Sequence, residues 1–110
     1  INNATHKSVF VFDNIIVQDG TLPIAIVAGT GVSYSNNLWS KTPGTTALGS
    51  NSLVTDPQFA KTGSQATIDW YKLLSTSPAI NKAISVPSVT CDFTGYTRPT
   101  ARDIGAYEYR

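Results

Sequence analysis

Val9-Phe10-Val11-Phe12-Asp13-Asn14-Ile15-Ile16-Val17 and Val32-Ser33-Tyr34-Ser35-Asn36-Asn37-Leu38-Trp39-Ser40 read as two copies of one pattern. Val9 falls on Val32, Val11 on Tyr34, Asn14 on Asn37 and Ile15-Ile16 on Leu38-Trp39, an offset of 23 residues. Each copy is a short apolar run, an Asn where the chain would turn, then a second apolar burst, which predicts strand, turn, strand. Between the copies Ile24-Ala25-Ile26-Val27 forms another strand-like burst, ending at Gly29-Thr30-Gly31. A period in the low twenties with two or three short strands per copy is a solenoid signature. One copy cannot bury its apolar side alone, so successive copies are expected to stack strand on strand at about 4.8 Å and enclose a core. Asn14 and Asn37 would then form an internal ladder, bonded to each other and to turn backbone.

Composition narrows the classes of function. The chain has 110 residues, one domain's worth. Charged residues are 14% of it, well below the roughly 25% of an ordinary soluble domain, and Ser, Thr and Asn take their place. A surface of hydroxyls and amides suits rigid extracellular β-structure rich in turns. The net charge of +1, with no Lys/Arg cluster, argues against nucleic acid as a partner. No apolar run reaches the length of a membrane-spanning helix, so no membrane partner is expected. The single Cys91 rules out an intrachain disulfide and a multi-Cys zinc site, and reads as a buried thiol. Asn3-Ala4-Thr5 is a glycosylation sequon in form only.

The second half leaves the period. Lys41 to Gly49 is a Thr/Pro/Gly loop. Asn51 to Phe59 reads as extended, with Pro57 turning Asp56 away from helical geometry. Ile68 to Leu74 is strand-like. Residues 1–40 are thus expected to hold two coils and 41–110 to wind over them as a C-terminal cap. The ending, Arg98-Pro99-Thr100-Ala101-Arg102-Asp103-Ile104-Gly105-Ala106-Tyr107-Glu108-Tyr109, reads as a final sealing strand, and suggests the terminal portion of a longer repetitive protein. Gly105 would allow close backbone approach there, and Arg98 and Asp103 would pair to pin the tail.

Asn36-Asn37-Leu38-Trp39, Asp56-Pro57-Gln58-Phe59, Tyr71-Lys72-Leu73, Ser77-Pro78-Ala79-Ile80, Asp92-Phe93-Thr94-Gly95-Tyr96-Thr97-Arg98 and Asp103-Ile104-Gly105-Ala106-Tyr107-Glu108 occur in that order. The series resembles the C-terminal coils and cap of secreted bacterial β-helix proteins of the pectin-lyase-like superfamily. The resemblance implies an all-β, right-handed parallel β-helix, secreted or displayed on a bacterial surface and working on or attached to polysaccharide. In many such proteins the activity is that of a lyase or a glycoside hydrolase, and calcium can belong to the larger protein. The same scaffold also serves structural and adhesive proteins without activity, and a stand-alone carbohydrate-binding module is a third reading.

No complete catalytic set is expected within the chain. A glycosidase needs two carboxylates at a set separation, and Asp13, the most suggestive acid, meets Asn36 rather than a second acid at repeat spacing. A lyase of the resembled kind would use a basic residue, for which Lys72, Arg98 and Arg102 are the candidates. His6 has no Ser or Cys constellation to serve. Weak substrate-binding candidates are Trp70, Tyr34 and Asp13; strand alternation is expected to send Trp70 outward and Tyr71 inward. Asn14, Asn37, Arg98, Asp103 and Gly105 are read as structural. Neither metal nor cofactor is expected in the chain itself. Besides polysaccharide, the expected partner is an upstream coil or a second copy at the N-terminal edge, whose unpaired backbone invites association.

Overall fold

A computed structural model describes residues 7–25 and 30–110. The sequon Asn3-Ala4-Thr5, His6, and the Ile26-Val27 half of the expected burst lie outside the described residues. Strand β1 (Val9–Phe12) is followed by β2 (Ile15–Ile16), β3 (Val32–Ser35) and β4 (Leu38–Trp39). A one-turn helix α1 (Thr45–Leu48) leads to β5 (Leu53–Val54), and a 3₁₀ turn spans Ile68–Tyr71.

The parallel register follows from the repeat. Val9 pairs with Val32 and Val11 with Tyr34, while Ile15 and Ile16 pair with Leu38 and Trp39. A further step places Leu38 and Trp39 against Leu53 and Val54, so the strand order is β2-β4-β5. These tiers share a corner. Asp13, Asn36 and Asn51 all have positive φ, from 51° to 60°, which is the left-handed conformation that Asn and Asp adopt at least cost. That residue turns the chain between the two strands of a tier and aims the next side chain inward.

Asn37 occupies this inward position and is fully buried. Its Oδ1 accepts the Asn14 backbone N–H at 3.0 Å and Asn14 Nδ2 at 3.1 Å. Its Nδ2 donates to the Val11 carbonyl at 2.9 Å, and its own N–H donates to Ser52 Oγ at 3.1 Å. A buried amide is stable only when its bonds are made; here the first tier satisfies the side chain and the third tier satisfies the backbone N–H.

β4 is the centre of the molecule because both its faces are covered. Leu38 joins Leu73, Ala79 and Ile104, with Ile15, Leu53 and Phe59 packed around them. Trp39 points the other way, into a cluster with Tyr34 and Ala47 that Val11 and Ile16 flank. Its indole N–H meets no acceptor among the described residues. Gly49 closes α1 with φ +60, where a Cβ would stand 1.9 Å from the Tyr34 carbonyl oxygen. Only glycine fits there.

The expected right-handed parallel β-helix is not the architecture found. Two small parallel sheets of two and three strands are present among the described residues, and neither closes or continues as a solenoid. The 23-residue period holds for a single step. The next step, Leu38 to Leu53, is only 15 residues, and a helical turn lies within it. The fold is also not purely β. Beyond Val54 the described chain is turns and loops joined by isolated bridges, Phe59 with Leu73 and Cys91 with Thr97. Cys91, expected to be buried, is exposed. The second-half fragments that matched in order are loop-forming, and their order did not require further stacked strands.

Removing the Asn37 side chain orphans the Asn14 backbone N–H and takes its donor from the Val11 carbonyl. Asn37→Ala is expected to cost about 2 kcal/mol in urea unfolding, with Asn14→Ala, at an exposed position, costing less.

Candidate functional site

The three parallel strands of the larger sheet end side by side, and the residues just beyond them form one wall of a groove. Val17 and Asp19 come after β2, Ser40 after β4, and Asp56 and Pro57 after β5. The opposite wall is Phe59, Lys61, Gln65, Trp70 and Tyr71, and the groove encloses about 550 Å³.

Local chemistry fixes both walls. Asp56 Oδ1 accepts the Gln58 N–H at 2.8 Å, an Asx turn that brackets the buried Pro57. Gln58 and Lys61 then take positive φ, and between them the chain runs antiparallel to 70–74. Ala60 N–H donates to the Lys72 carbonyl at 2.7 Å and Lys61 N–H to that of Trp70 at 3.0 Å. The Tyr71 hydroxyl donates to the Gln65 carbonyl at 2.8 Å, and its ring meets Phe59 edge-on at 5.6 Å. Trp70 and Tyr71 are thereby held on a short tether, while Asp19, Asp56 Oδ2, Lys61 Nζ and the Gln65 amide make no side-chain hydrogen bond among the described residues.

The sequence candidates fare differently. Trp70 is half-buried and lines the groove. Strand alternation does not govern it, because Ile68–Tyr71 is a 3₁₀ turn, and Tyr71 is the more exposed ring at 42%. Tyr34 is not a surface platform, since it is packed with Trp39 and Ala47. Asp13 stands at the turn corner, where Oδ1 accepts the Ile84 N–H at 2.8 Å and its carbonyl accepts the Gly105 N–H at 2.9 Å. Burial raises the Asp13 pKa, and that N–H together with the charges of Arg98 and Arg102 acts the other way. It lines two smaller clefts, of about 450 and 210 Å³, rather than the groove. Lys72 pairs with Asp69 at 2.7 Å on the surface, and Arg102 donates to the Val86 and Val89 carbonyls at 2.7 and 2.6 Å. Among the described residues no three His, Cys, Asp or Glu side chains are placed to hold a metal ion.

Arg98 does pin the tail, but through a different partner. Its guanidinium pairs with Glu108 and donates to the carbonyls of Gly105 at 2.8 Å and Asp103 at 3.2 Å. The Asp103 carboxylate instead accepts the backbone N–H of Asn81 at 2.8 Å and of Tyr109 at 2.6 Å. Gly105, at φ +106, brings the tail against Ile15, whose Cδ1 would lie 2.8 Å from an added Cβ. Burial pushes the Glu108 pKa up, opposed by the Asp103 N–H and by Arg98.

The composition gave no signal for Asp92, which is buried and accepts five donors from Thr94, Tyr96, Glu108 and Arg110. Asp19, Asp56 and Gln65 were missed as well. The usable signal was phase: Val17 and Ser40 are equivalent in the repeat, so the residues after each strand gather at one end.

Burial opposes ionisation of Asp92, yet its hydrogen bonds prevail and lower its pKa from 3.8 to about 2. Its stabilisation is complete above the ordinary value and is lost as pH falls from 3.8 through about 2. Asp92→Asn is expected to be less stable at neutral pH and to lose less on acidification over that window, measured by urea unfolding at a series of pH values. Compared with known proteins, the chain matches no family model and no curated protein.

Proposed function

We propose that this chain binds saccharide in the groove beside Trp70, as a non-catalytic segment of a secreted or cell-surface protein that works on or is attached to polysaccharide. The observation that carries the reading is the pairing, in one 550 Å³ groove, of two ordered aromatic rings with uncommitted polar side chains. A sugar ring presents C–H groups on one face and hydroxyls around its edge. An indole or phenol face takes the first through dispersion and polarised C–H contact, and Asp19, Asp56, Lys61 and Gln65 supply acceptors and donors for the second. The low charge and the hydroxyl-rich, amide-rich composition suit a surface that meets a neutral, hydrated polymer. The fold that the family resemblance implied was not found, so the saccharide-binding reading rests on the groove, and only the secreted or cell-surface setting comes from that resemblance.

Calorimetric titration with cello-, xylo- and galacturono-oligosaccharides tests it. At least one series is expected to bind, with affinity falling about tenfold in Trp70→Ala, or ~1.4 kcal/mol, and less in Trp70→Phe. Tyr34→Phe, at a ring buried away from the groove, is expected to leave the affinity unchanged. Absence of binding across the panel, or full affinity in folded Trp70→Ala, contradicts the proposal.

A further inference from the structure

The sheet β2-β4-β5 has two edges with no strand partner among the described residues, and their hydrogen-bonding groups match each other. Within the sheet one rule repeats from tier to tier. Leu38 N–H donates to the Asn14 carbonyl at 2.8 Å and Ser40 N–H to that of Ile16 at 3.0 Å. Leu53 N–H likewise donates to the Asn37 carbonyl at 2.8 Å and Thr55 N–H to that of Trp39 at 2.9 Å. At the corner, the Asn14 N–H donates to the Asn37 side-chain oxygen, and the Asn37 N–H to that of Ser52.

In a parallel ladder successive residues direct their backbone groups to alternate sides. Ser52 and Val54 therefore face outward from β5, and Ile15 and Val17 face outward from β2. None of these four N–H groups is bonded among the described residues, and neither is Asn14 Oδ1. The side chains at these edges are accessible, with Val17 at 45% and Val54 at 42% exposure.

From this complementarity we infer that the protein associates head to tail with a second copy of itself, β5 of one protomer stacking in parallel on β2 of the next. Continuing the rule by one step brings Ile15 N–H to the partner's Ser52 carbonyl and Val17 N–H to the partner's Val54 carbonyl. The partner's Val54 N–H then meets the Ile15 carbonyl, and the partner's Ser52 N–H reaches Asn14 Oδ1, the acceptor left over at the corner. The same step sets an aliphatic pair, Leu53 and Val54, over Ile15 and Ile16, in the register that Leu38 and Trp39 keep with Leu53 and Val54. Such a contact uses different surfaces on the two protomers, so it grows into a chain of copies unless the rotation closes a ring. It lies on the sheet edges, and does not depend on saccharide binding in the groove.

Light scattering after size-exclusion chromatography over a series of concentrations, with hydrogen exchange on the same samples, tests the inference. Weight-average mass is expected to rise at least about twofold above the 11.8 kDa protomer across the series. Slowed exchange is expected at the Ile15, Val17, Ser52 and Val54 amides. Val54→Pro removes an outward-facing N–H that bonds nothing among the described residues, and is expected to stay monomeric while keeping the circular dichroism of the parent. If that variant fails to fold, the wild-type exchange pattern decides. A protomer that remains monomeric at every concentration overturns the inference, as does association that persists in folded Val54→Pro or that protects other amides.

Discussion

The arrangement depends on one buried amide. Asn37 has no access to solvent, so its donor and acceptor must both be met inside the fold. Both are met by Asn14 and Val11 of the first tier, while the Asn37 backbone N–H is met by Ser52 Oγ of the third, so this one residue ties the register of three tiers. A one-residue slip would send Leu38 and Trp39 to each other's clusters and leave the amide unpaired. The corner residues Asp13, Asn36 and Asn51 make the geometry accessible, since short polar side chains tolerate the left-handed conformation that the turn requires.

From that corner the order spreads outward by carboxylates. Asp13 carries Ile84 on its carboxylate and Gly105 on its backbone carbonyl, Asp103 carries Asn81 and Tyr109, and Asp92 carries Glu108 and the loop at Thr94 to Tyr96. Each acid binds backbone N–H groups of a segment that has almost no regular secondary structure. Long loops with buried polar backbone need such partners. The Arg98–Glu108 pair has the same role for the carbonyls of the tail, although it buries charge.

The first two tiers were legible in the sequence. Equal phases at Val9 and Val32, Asn14 and Asn37, and Ile15 and Leu38 appear as strand partners and as a side-chain hydrogen bond. The third tier was obscured because its step is shorter and because Ser52 replaces Asn at the ladder position. Arg98 does act as a clamp, but its acidic partner is Glu108, ten residues away, and not the nearer Asp103, whose carboxylate is committed to backbone. For Trp70 and Tyr71 the strand period does not apply: a 3₁₀ turn has no in-and-out alternation. The extrapolation from two tiers to a solenoid failed for a related reason. Ordered loop motifs in the second half fold onto the stack through side-chain hydrogen bonds, with no need of repeating strands. The groove beside Trp70 arises where those loops meet the strand ends, a juxtaposition no local pattern encodes.

The most direct measurement is nuclear magnetic resonance of the Asn37 side-chain amide. The account predicts a slowly exchanging carboxamide whose hydrogen couples across to the Val11 carbonyl, with the Asn14 backbone amide protected to a similar degree. A carboxamide at Asn37 that exchanges as fast as those of exposed asparagines, with no coupling to Val11, would contradict it.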